Sequence, residues 1–240
     1  MQTSTTEDYL KAIFKLSGAN KEGVSTNSIS DELTTKASSV SDMVKKLAEK
    51  KLVNYIKYQG TTLTKEGEGI ALRVIRKHRL WEVFLVDKLK FGWDEIHEIA
   101  EQLEHIKSPK LIDKLDEHLG FPKKDPHGDP IPDKNGVFPT LKKFKLNELE
   151  IGGKCILIGV SEDSKDFLRY LDSINLKLGS SIEILDFFQF DKSLKVKVNN
   201  TTELTFSELV AQNLNISKEK LNEENIFCST YFISFINKLR

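Results

Sequence analysis

The stretch from His78 to His105 reads HRLWEVFLVDKLKFGWDEIHEIAEQLEH and holds three of the chain's five histidines. A helix advances about 100° per residue, so four ligand-type side chains share roughly a third of its circumference: His97, Glu101, Glu104 and His105. The preceding helix adds an i,i+4 pair, His78 and Glu82. A single His/Glu pair is common on a solvated helix face. Two facing clusters of such residues instead indicate a site for a divalent metal.

The composition of the whole chain is that of a soluble globular protein. Its 240 residues are 39% hydrophobic and 30% charged, and no run approaches the roughly 20 apolar residues that span a membrane. The N-terminus lacks the basic and apolar regions of a signal peptide. Cys155 and Cys228 show no CxxC spacing. These features predict a cytoplasmic protein with reduced thiols and no membrane partner.

The formal net charge of zero conceals an asymmetry along the chain. Residues 1–80 carry 14 Lys and Arg against 9 Asp and Glu, whereas residues 81–240 carry 22 against 27. A basic N-terminal third is typical of a nucleic-acid footprint, although small imbalances of this kind are frequent.

The pattern of the N-terminal third is that of a winged helix. Helices are predicted over 3–16, 26–33 and from about 38 to 50, followed by a hairpin with Gly60 at its turn. The third helix would enter the major groove of DNA. The residues predicted to contact operator DNA are Lys36, Ser38, Ser39, Asp42, Lys45, Lys46 and Lys57. The alternative is a basic amphipathic helix with no role in DNA binding.

The middle of the chain is predicted to be helical and to form a homodimer. Helices are expected over 66–90, 95–107 and 109–119, with Ser108 capping the last. The first of them carries more apolar side chains than one winged helix can cover, which favours a partner surface.

Five of the six prolines lie between Phe121 and Pro139, and the hydrophobic period beyond them is two. Strands over 154–160, 181–188, 194–198 and 203–206, with helices over 166–171 and 207–214, predict a small barrel-like β domain. The predicted fold class is α+β, mainly α. The predicted division is a winged-helix domain (1–70), a helical dimerisation and metal-binding domain with a Pro-rich linker (71–140), a β domain (141–216) and an extension of unknown role (217–240).

The chain resembles the diphtheria toxin repressor family of metal-dependent transcriptional regulators over about residues 4–216. The stretches that carry the resemblance are TTEDYLKAIFKL, SSVSDMVKKLAEKKLV, LTKEGEGIA, RKHRLWEVFL, HEIAEQLEHIKS and DPHGDPIP. The combination of RKHRL with the H…E..EH spacing is specific. The resemblance implies a homodimer that binds operator DNA when it holds a divalent transition metal, and a third domain of SH3-like (FeoA) type.

The resemblance also implies two sets of metal ligands. One set matches Asp8, Glu101, Glu104 and His105, to which some members add a ligand at the position of Asp125. The other set matches His78, Glu82 and His97, in some members completed from the third domain. Asp163 or Asp166 is the expected ligand there.

Two positions within these sets favour manganese over iron. Iron-responsive members of the family have Met where this chain has Asp8 and Cys where it has Glu101. Carboxylates suit Mn(II), whereas sulfur ligands favour softer metals. The resemblance thus implies repression of manganese uptake genes by the Mn(II)-bound protein, with an iron-responsive repressor as the alternative. Zn(II) or Co(II) is expected to bind in vitro without signalling as well.

One position departs from the family pattern. Short manganese regulators have a Glu one turn after the first-helix Asp, and this chain has Lys11 there. A closely spaced pair of metal ions is therefore not expected, and two separate sites are favoured.

Two other function classes are alternatives to a metal-dependent regulator. HEIAE at 97–101 and EQLEH at 101–105 each differ by one residue from zinc-hydrolase motifs, but both lack the second His. An enzyme is therefore not expected. A winged-helix regulator that senses something other than a metal remains open, and its acidic cluster would then be a network of ion pairs.

Overall fold

The computed structural model describes residues 3–18, 20–56, 59–140 and 143–218. Lys57 and most of the predicted C-terminal extension lie outside these ranges. The chain forms two compact units. The first contains the residues up to Asp125 together with Pro130–Pro139, and the second contains Pro126–Asp129 and the residues from Thr140 onward.

The first unit begins with three helices and a two-stranded hairpin. The helices are α1 (Ser4–Ser17), α2 (Thr26–Glu32) and α3 (Ala37–Glu49), and the strands are β1 (Val53–Ile56) and β2 (Gly60–Leu63). Thr3 and Ser25 cap α1 and α2 by accepting backbone N–H bonds. Apolar side chains of α1 and α3 share one core. This order confirms the predicted winged helix-turn-helix.

The long helix α4 (Lys65–Asp87) starts directly after the wing. The hydroxyl of Thr64 accepts the N–H of Gly67 at 3.2 Å and donates to the carbonyl of Lys51 at 2.8 Å. A Cβ atom at Gly67 would lie 2.0 Å from the carbonyl oxygen of Leu52. The glycine therefore permits the close approach that joins α4 to the winged helix.

Two short helices complete the helical part of the first unit, α5 (Ile96–Leu103) and α6 (Pro109–His118). Ser108 caps α6 as predicted. The predicted helix over 95–107 is too long at its C-terminal end, so Glu104 occupies the C-cap and His105 lies beyond it. The carboxylate of Glu104 bonds to side chains of α1 and α4. These tertiary bonds account for the end of the helix at this residue.

Pro130–Pro139, the part of the proline-rich segment that belongs to the first unit, packs on its helices. Arg76 donates to the carbonyl of Pro132 at 2.7 Å, and Arg79 donates to the carbonyl of Pro130. The ring of Phe138 stacks on that of Phe14 with centroids 6.2 Å apart. Pro130–Pro139 is thus held against both α4 and α1.

The second unit is a six-stranded antiparallel sheet in the order β3-β8-β4-β5-β6-β7. The strands are β3 (Phe144–Lys145), β4 (Lys154–Val160), β5 (Ser181–Phe188), β6 (Ser193–Val198), β7 (Thr202–Phe206) and β8 (Leu214–Ser217). Two helices accompany them, α7 (Lys165–Ser173) and α8 (Glu208–Asn213). The expected fold class, α+β with a C-terminal β domain, is confirmed. The domain boundaries given above stay a prediction.

None of the helices among the described residues has the length and apolar character that a membrane span requires.

Candidate metal centres

Two groups of potential metal ligands form within the first unit. His78, Glu82 and His97 each offer an atom within 4.8 Å of the others, and Asp8, Glu104 and His105 do the same. Both groups consist of nitrogen and oxygen donors only. The structure thus brings together six of the residues that the sequence singled out.

The first group joins α4 to the start of α5. Oε1 of Glu82 lies 3.0 Å from Nε2 of His78 and 3.6 Å from Nδ1 of His97. The rings of His78 and His97 meet edge to face with centroids 4.9 Å apart. Glu82 and His78 are buried, whereas the side chain of His97 is 50% exposed. This group, which we call the histidine group, opens to solvent on the side of His97.

The second group joins α1 to the turn that follows α5. Oδ1 of Asp8 lies 3.0 Å from Nε2 of His105, and Oε1 of Glu104 lies 3.9 Å from the same nitrogen. Glu104 is buried and the side chain of Asp8 is 41% exposed. We call this set the carboxylate group. Its members come from the winged helix and from the helical region that follows.

Glu104 connects the two groups. Its Oε2 lies 2.6 Å from Nδ1 of His78, whose other ring nitrogen faces Glu82. Glu104 therefore belongs to the carboxylate group while it bonds to a member of the histidine group.

Glu7 is a site residue that the sequence did not indicate. Its Oε2 lies 2.8 Å from Nδ1 of His105, on the opposite side of the ring from Asp8. Glu7 is buried, and Lys77 lies 3.8 Å from it. A carboxylate that accepts the N–H of one ring nitrogen leaves the other nitrogen free to bind a metal. Glu7 therefore orients His105 toward Asp8 and Glu104.

Glu101 lies elsewhere than the family pattern implies. Its Oε1 is 3.4 Å from Nε2 of His97 and 3.7 Å from Nζ of Lys11. It is thus paired with the histidine group, and its side chain is half exposed. Coordination of a metal together with Asp8 stays a prediction for this residue.

The remaining predicted ligands lie apart from the carboxylate group or in the second unit. Asp125 is buried, with Oδ2 3.4 Å from Nε of Arg79, and a carboxylate oxygen of Asp125 lies within 4.8 Å of one from Glu82. It therefore adjoins the histidine group. Asp163 and Asp166 are exposed residues of the second unit, at and just before the start of α7. Their role as ligands stays a prediction.

The charges of the histidine group are strongly coupled. The hydrogen bonds from His97 to Glu101 and Glu82 raise the pKa of His97 to about 9. The same bond from His97 lowers the pKa of Glu101 to about 2. Burial opposes a charge on His78, but the bonds to Glu104 and Glu82 outweigh it and raise the pKa of His78. Protons and ion pairs therefore balance these carboxylates, and a metal would replace protons.

Burial acts on the carboxylate group as well. It raises the pKa of Asp8, although His105 acts in the opposite direction. For Glu104 burial is outweighed by His78 and Lys11, and the pKa is lowered. Glu104 thus carries a negative charge in a buried place.

Lys11 places a second positive charge, beside that of His78, in direct contact with the carboxylate of Glu104. Its Nζ lies 2.9 Å from Oε1 and 2.7 Å from Oε2 of Glu104. Lys11 is on α1, three residues after Asp8, so both side chains lie on one face of the helix.

The donor sets fit a divalent transition metal. Each combines imidazole nitrogen with at least one carboxylate, and in each a carboxylate is almost fully buried: Glu82 at 2% and Glu104 at 1% exposure. Buried carboxylates require a partner cation, and imidazole with carboxylate suits Mn, Fe, Co and Zn.

The predicted DNA contacts lie on or just before α3. The exposed members are Lys36, Ser38, Ser39, Asp42, Lys45 and Lys46. Asp42 and Lys45 form an exposed i,i+3 pair at 3.8 Å. The buried side of α3 is formed by Val40, Val44 and Leu47. The helix thus presents short polar and basic side chains to solvent.

Three protein-family models match successive parts of the chain. The N-terminal DNA-binding domain of iron-dependent repressors matches residues 1–61, and their metal-binding and dimerisation domain matches residues 64–133. The FeoA domain matches residues 144–218.

Curated relatives include both iron and manganese regulators. The iron-dependent repressor IdeR of Mycobacterium tuberculosis is 35% identical over 130 residues, which are 53% of this chain and 55% of that protein. The chain thus spans about half the length of such relatives. The HTH-type transcriptional regulator MntR of Lysinibacillus sphaericus is 37% identical over 117 residues, which are 48% of this chain and 81% of that protein.

Solved structures resemble the chain over most of its length. A manganese-dependent transcriptional repressor in complex with manganese gives a TM-score of 0.77 at 35% identity, covering 88% of this chain and 98% of that one. The manganese regulator SloR gives 0.69 at 36% identity, covering 89% and 98%. With these matches, the chain belongs to the iron-dependent repressor family, the family of the diphtheria toxin repressor.

Proposed function

We propose that this chain is a manganese-dependent, DNA-binding transcriptional repressor that acts as a homodimer. The observation that carries the proposal is the 3.0 Å approach of Asp8, on α1, to His105, beyond α5. Ligand-type side chains from the winged helix and from the helical region after it meet at one place, where a single ion would link the two.

The metal that controls DNA binding would be held by Asp8, Glu104 and His105. A divalent ion supplies positive charge and several directed coordination bonds to these three side chains. Asp8 would then fix α1 to the end of α5. Because α1 and α3 share a hydrophobic core, fixing α1 also restricts the orientation of α3.

The exposed residues of α3 would contact DNA. In a homodimer, two recognition helices can enter successive major grooves about 34 Å apart. Lys45 and Lys46 are suited to phosphate contacts, whereas Ser38, Ser39 and Asp42 are short enough to reach base edges. Lys57, outside the described residues, is proposed as a further phosphate contact.

The homodimer is supported by exposed apolar side chains within the segment that matches the dimerisation domain. These are Leu89, Phe91, Leu111 and Phe121, each at least 38% exposed. Exposed apolar side chains of this size are typical of a partner surface.

Manganese is the proposed signal because the donors are carboxylates and imidazoles. In addition, one structural neighbour is a manganese-dependent transcriptional repressor and another, SloR, is a manganese regulator. Another neighbour, ScaR, has been solved with bound Zn²⁺ and Cd²⁺, so binding in vitro does not identify the signal.

His78, Glu82 and His97 are proposed to form a second metal site. The proposed targets are genes for manganese uptake. The proposed location of the protein is the cytoplasm.

This family is one of transcriptional repressors, which are not a class of enzymes. Catalysis is no part of the proposal.

The test is DNA binding as a function of Mn(II). A duplex is first selected from a random-sequence library with wild-type protein and MnCl2, and its binding is then measured at increasing Mn(II). Asp8→Ala should raise the Mn(II) concentration for half-maximal binding at least tenfold, because loss of even an outer partner of a metal ligand costs about 10- to 100-fold. Asp113→Ala, at an exposed position of α6, is the control.

A normal Mn(II) response of Asp8→Ala would contradict the link through α1. A stronger response of wild-type protein to Fe(II) than to Mn(II), measured without oxygen, would assign the signal to iron.

A further inference from the structure

The contact between Lys11 and Glu104 has a consequence for metal binding. The ammonium of Lys11 holds both oxygens of Glu104, at 2.7 and 2.9 Å, and Glu104 is almost completely buried. The Lys11 side chain itself is only 19% exposed. The two residues are 93 positions apart, so this contact depends on the packing of α1 against the region after α5.

The same carboxylate is needed by the carboxylate group. Glu104 contributes an oxygen that lies within 4.8 Å of the ligand atoms of Asp8 and His105. Oε2 of Glu104 also bonds to His78 at 2.6 Å. A divalent ion bound to Glu104 would therefore lie beside an ammonium that already occupies both oxygens. Like charges at such a distance repel each other, most strongly where water is scarce.

We propose that Lys11 is a built-in competitor of the metal. In the metal-free chain its ammonium neutralises Glu104, and binding of the metal displaces it toward solvent. Lys11 thereby sets the concentration of metal to which the chain responds. This inference rests on the proposed metal site, but it concerns affinity and is separable from DNA binding.

The competitor role predicts two effects of opposite sign when Lys11 is replaced. Lys11→Met removes the ion pair with Glu104, so the metal-free protein should unfold at a lower temperature. The same variant frees Glu104 for the metal, so its dissociation constant for Mn(II) should fall about tenfold. A purely structural lysine would instead lower stability and weaken metal binding together.

The experiment measures both quantities on the full chain stripped of metal. Calorimetric titration with MnCl2 gives the dissociation constant, and thermal unfolding without metal gives the stability. Lys15→Met is the matched control, because Lys15 lies one turn further along α1 in an exposed pair with Glu32 at 3.0 Å. Lys11→Arg, which keeps the charge, should restore the wild-type dissociation constant to within a few-fold.

The outcomes separate this inference from the proposed function. Unchanged or weaker Mn(II) binding by Lys11→Met overturns the competitor role while wild-type binding still supports the metal site. Should wild-type protein bind no Mn(II) and Lys11→Met bind it, the competitor role is supported and the proposed function fails. Absence of binding in both proteins overturns both. If Lys11→Met does not fold, Lys11→Gln, which keeps an N–H donor without the charge, replaces it.

Discussion

At the scale of single residues, the hydrogen bond between Glu7 and His105 is expected to have a large effect on metal binding. Because Oε2 of Glu7 lies 2.8 Å from Nδ1, it holds the ring of His105 in a single orientation. Nε2 is then the nitrogen that faces Asp8 and Glu104. Glu7 acts through His105 and is a positioning residue.

Replacing Glu7 should therefore weaken metal binding without removing a ligand. Glu7→Ala is expected to raise the dissociation constant for Mn(II) about 10- to 100-fold. Glu7→Gln should have a smaller effect, since its amide oxygen still accepts the N–H. Both are measured by calorimetric titration, with Glu66→Ala, exposed in the first turn of α4, as the control. Equal affinities for Glu7→Ala and wild type would show that the ring needs no such support.

Glu7 and Lys11 show why the sequence did not reveal the whole site. An acid in the first turn of a helix is explained by the helix dipole alone, so Glu7 gave no separate signal. Lys11 bonds to a residue 93 positions away, and no periodicity within α1 encodes that partner. His78, Glu82 and His97 were recognisable because their spacing and their helices are local. The family pattern places Glu101 with Asp8, whereas in the structure its side chain pairs with His97, so its role as a ligand beside Asp8 stays a prediction.

Among the elements, the junction between the wing and α4 is tightly packed. The carbonyl of Leu52 accepts from Thr64, and Gly67 leaves room for the same oxygen. A methyl group at Gly67 would force the backbone apart, whereas one at Gly69 would meet only the flexible end of Arg73, at 3.6 Å.

Replacing each of the two glycines of α4 with alanine should therefore change the free energy of unfolding in opposite directions. Gly67→Ala is expected to lower the free energy of unfolding by about 1–3 kcal/mol through overpacking. Gly69→Ala should raise it by about 0.5–1 kcal/mol, because alanine favours a helix. Denaturant unfolding of both variants without metal checks the pair. A stabilised Gly67→Ala would mean that the junction is looser than its contacts indicate.

The elements themselves were largely predictable. The bounds of β4 and β5 agree with the sequence pattern, because β5 alternates over most of its 8 residues and β4 is a 7-residue, mostly apolar run. The strands β3 and β8 were missed, since 2 and 4 residues carry too little periodicity and β8 follows α8 without a break. The C-terminal end of α5 was placed too late, because tertiary bonds of Glu104 override helix propensity.

At the scale of the whole molecule, the proposed function requires DNA and metal to assist each other. If Mn(II) raises DNA affinity by some factor, DNA must raise Mn(II) affinity by the same factor. For allosteric proteins this factor is typically about 5- to 150-fold.

The prediction is that a saturating amount of the selected duplex lowers the dissociation constant for Mn(II) by the factor measured in the reverse direction. Titration of the protein with MnCl2, with the selected duplex and with a scrambled one, provides both numbers at one salt concentration. An Mn(II) affinity that is identical with either duplex would exclude the carboxylate group as the coupling site.

The bond between Glu104 and His78 bears on how many ions one chain can hold. Because a single carboxylate serves both groups, the occupancy of one group changes the ligand field and the charge of the other. If each group held one ion, an ion bound to Glu104 would withdraw negative charge from the carboxylate that holds His78, a ligand of the other group. A saturation curve that departs from two independent sites would then have its cause in the contacts of this one carboxylate.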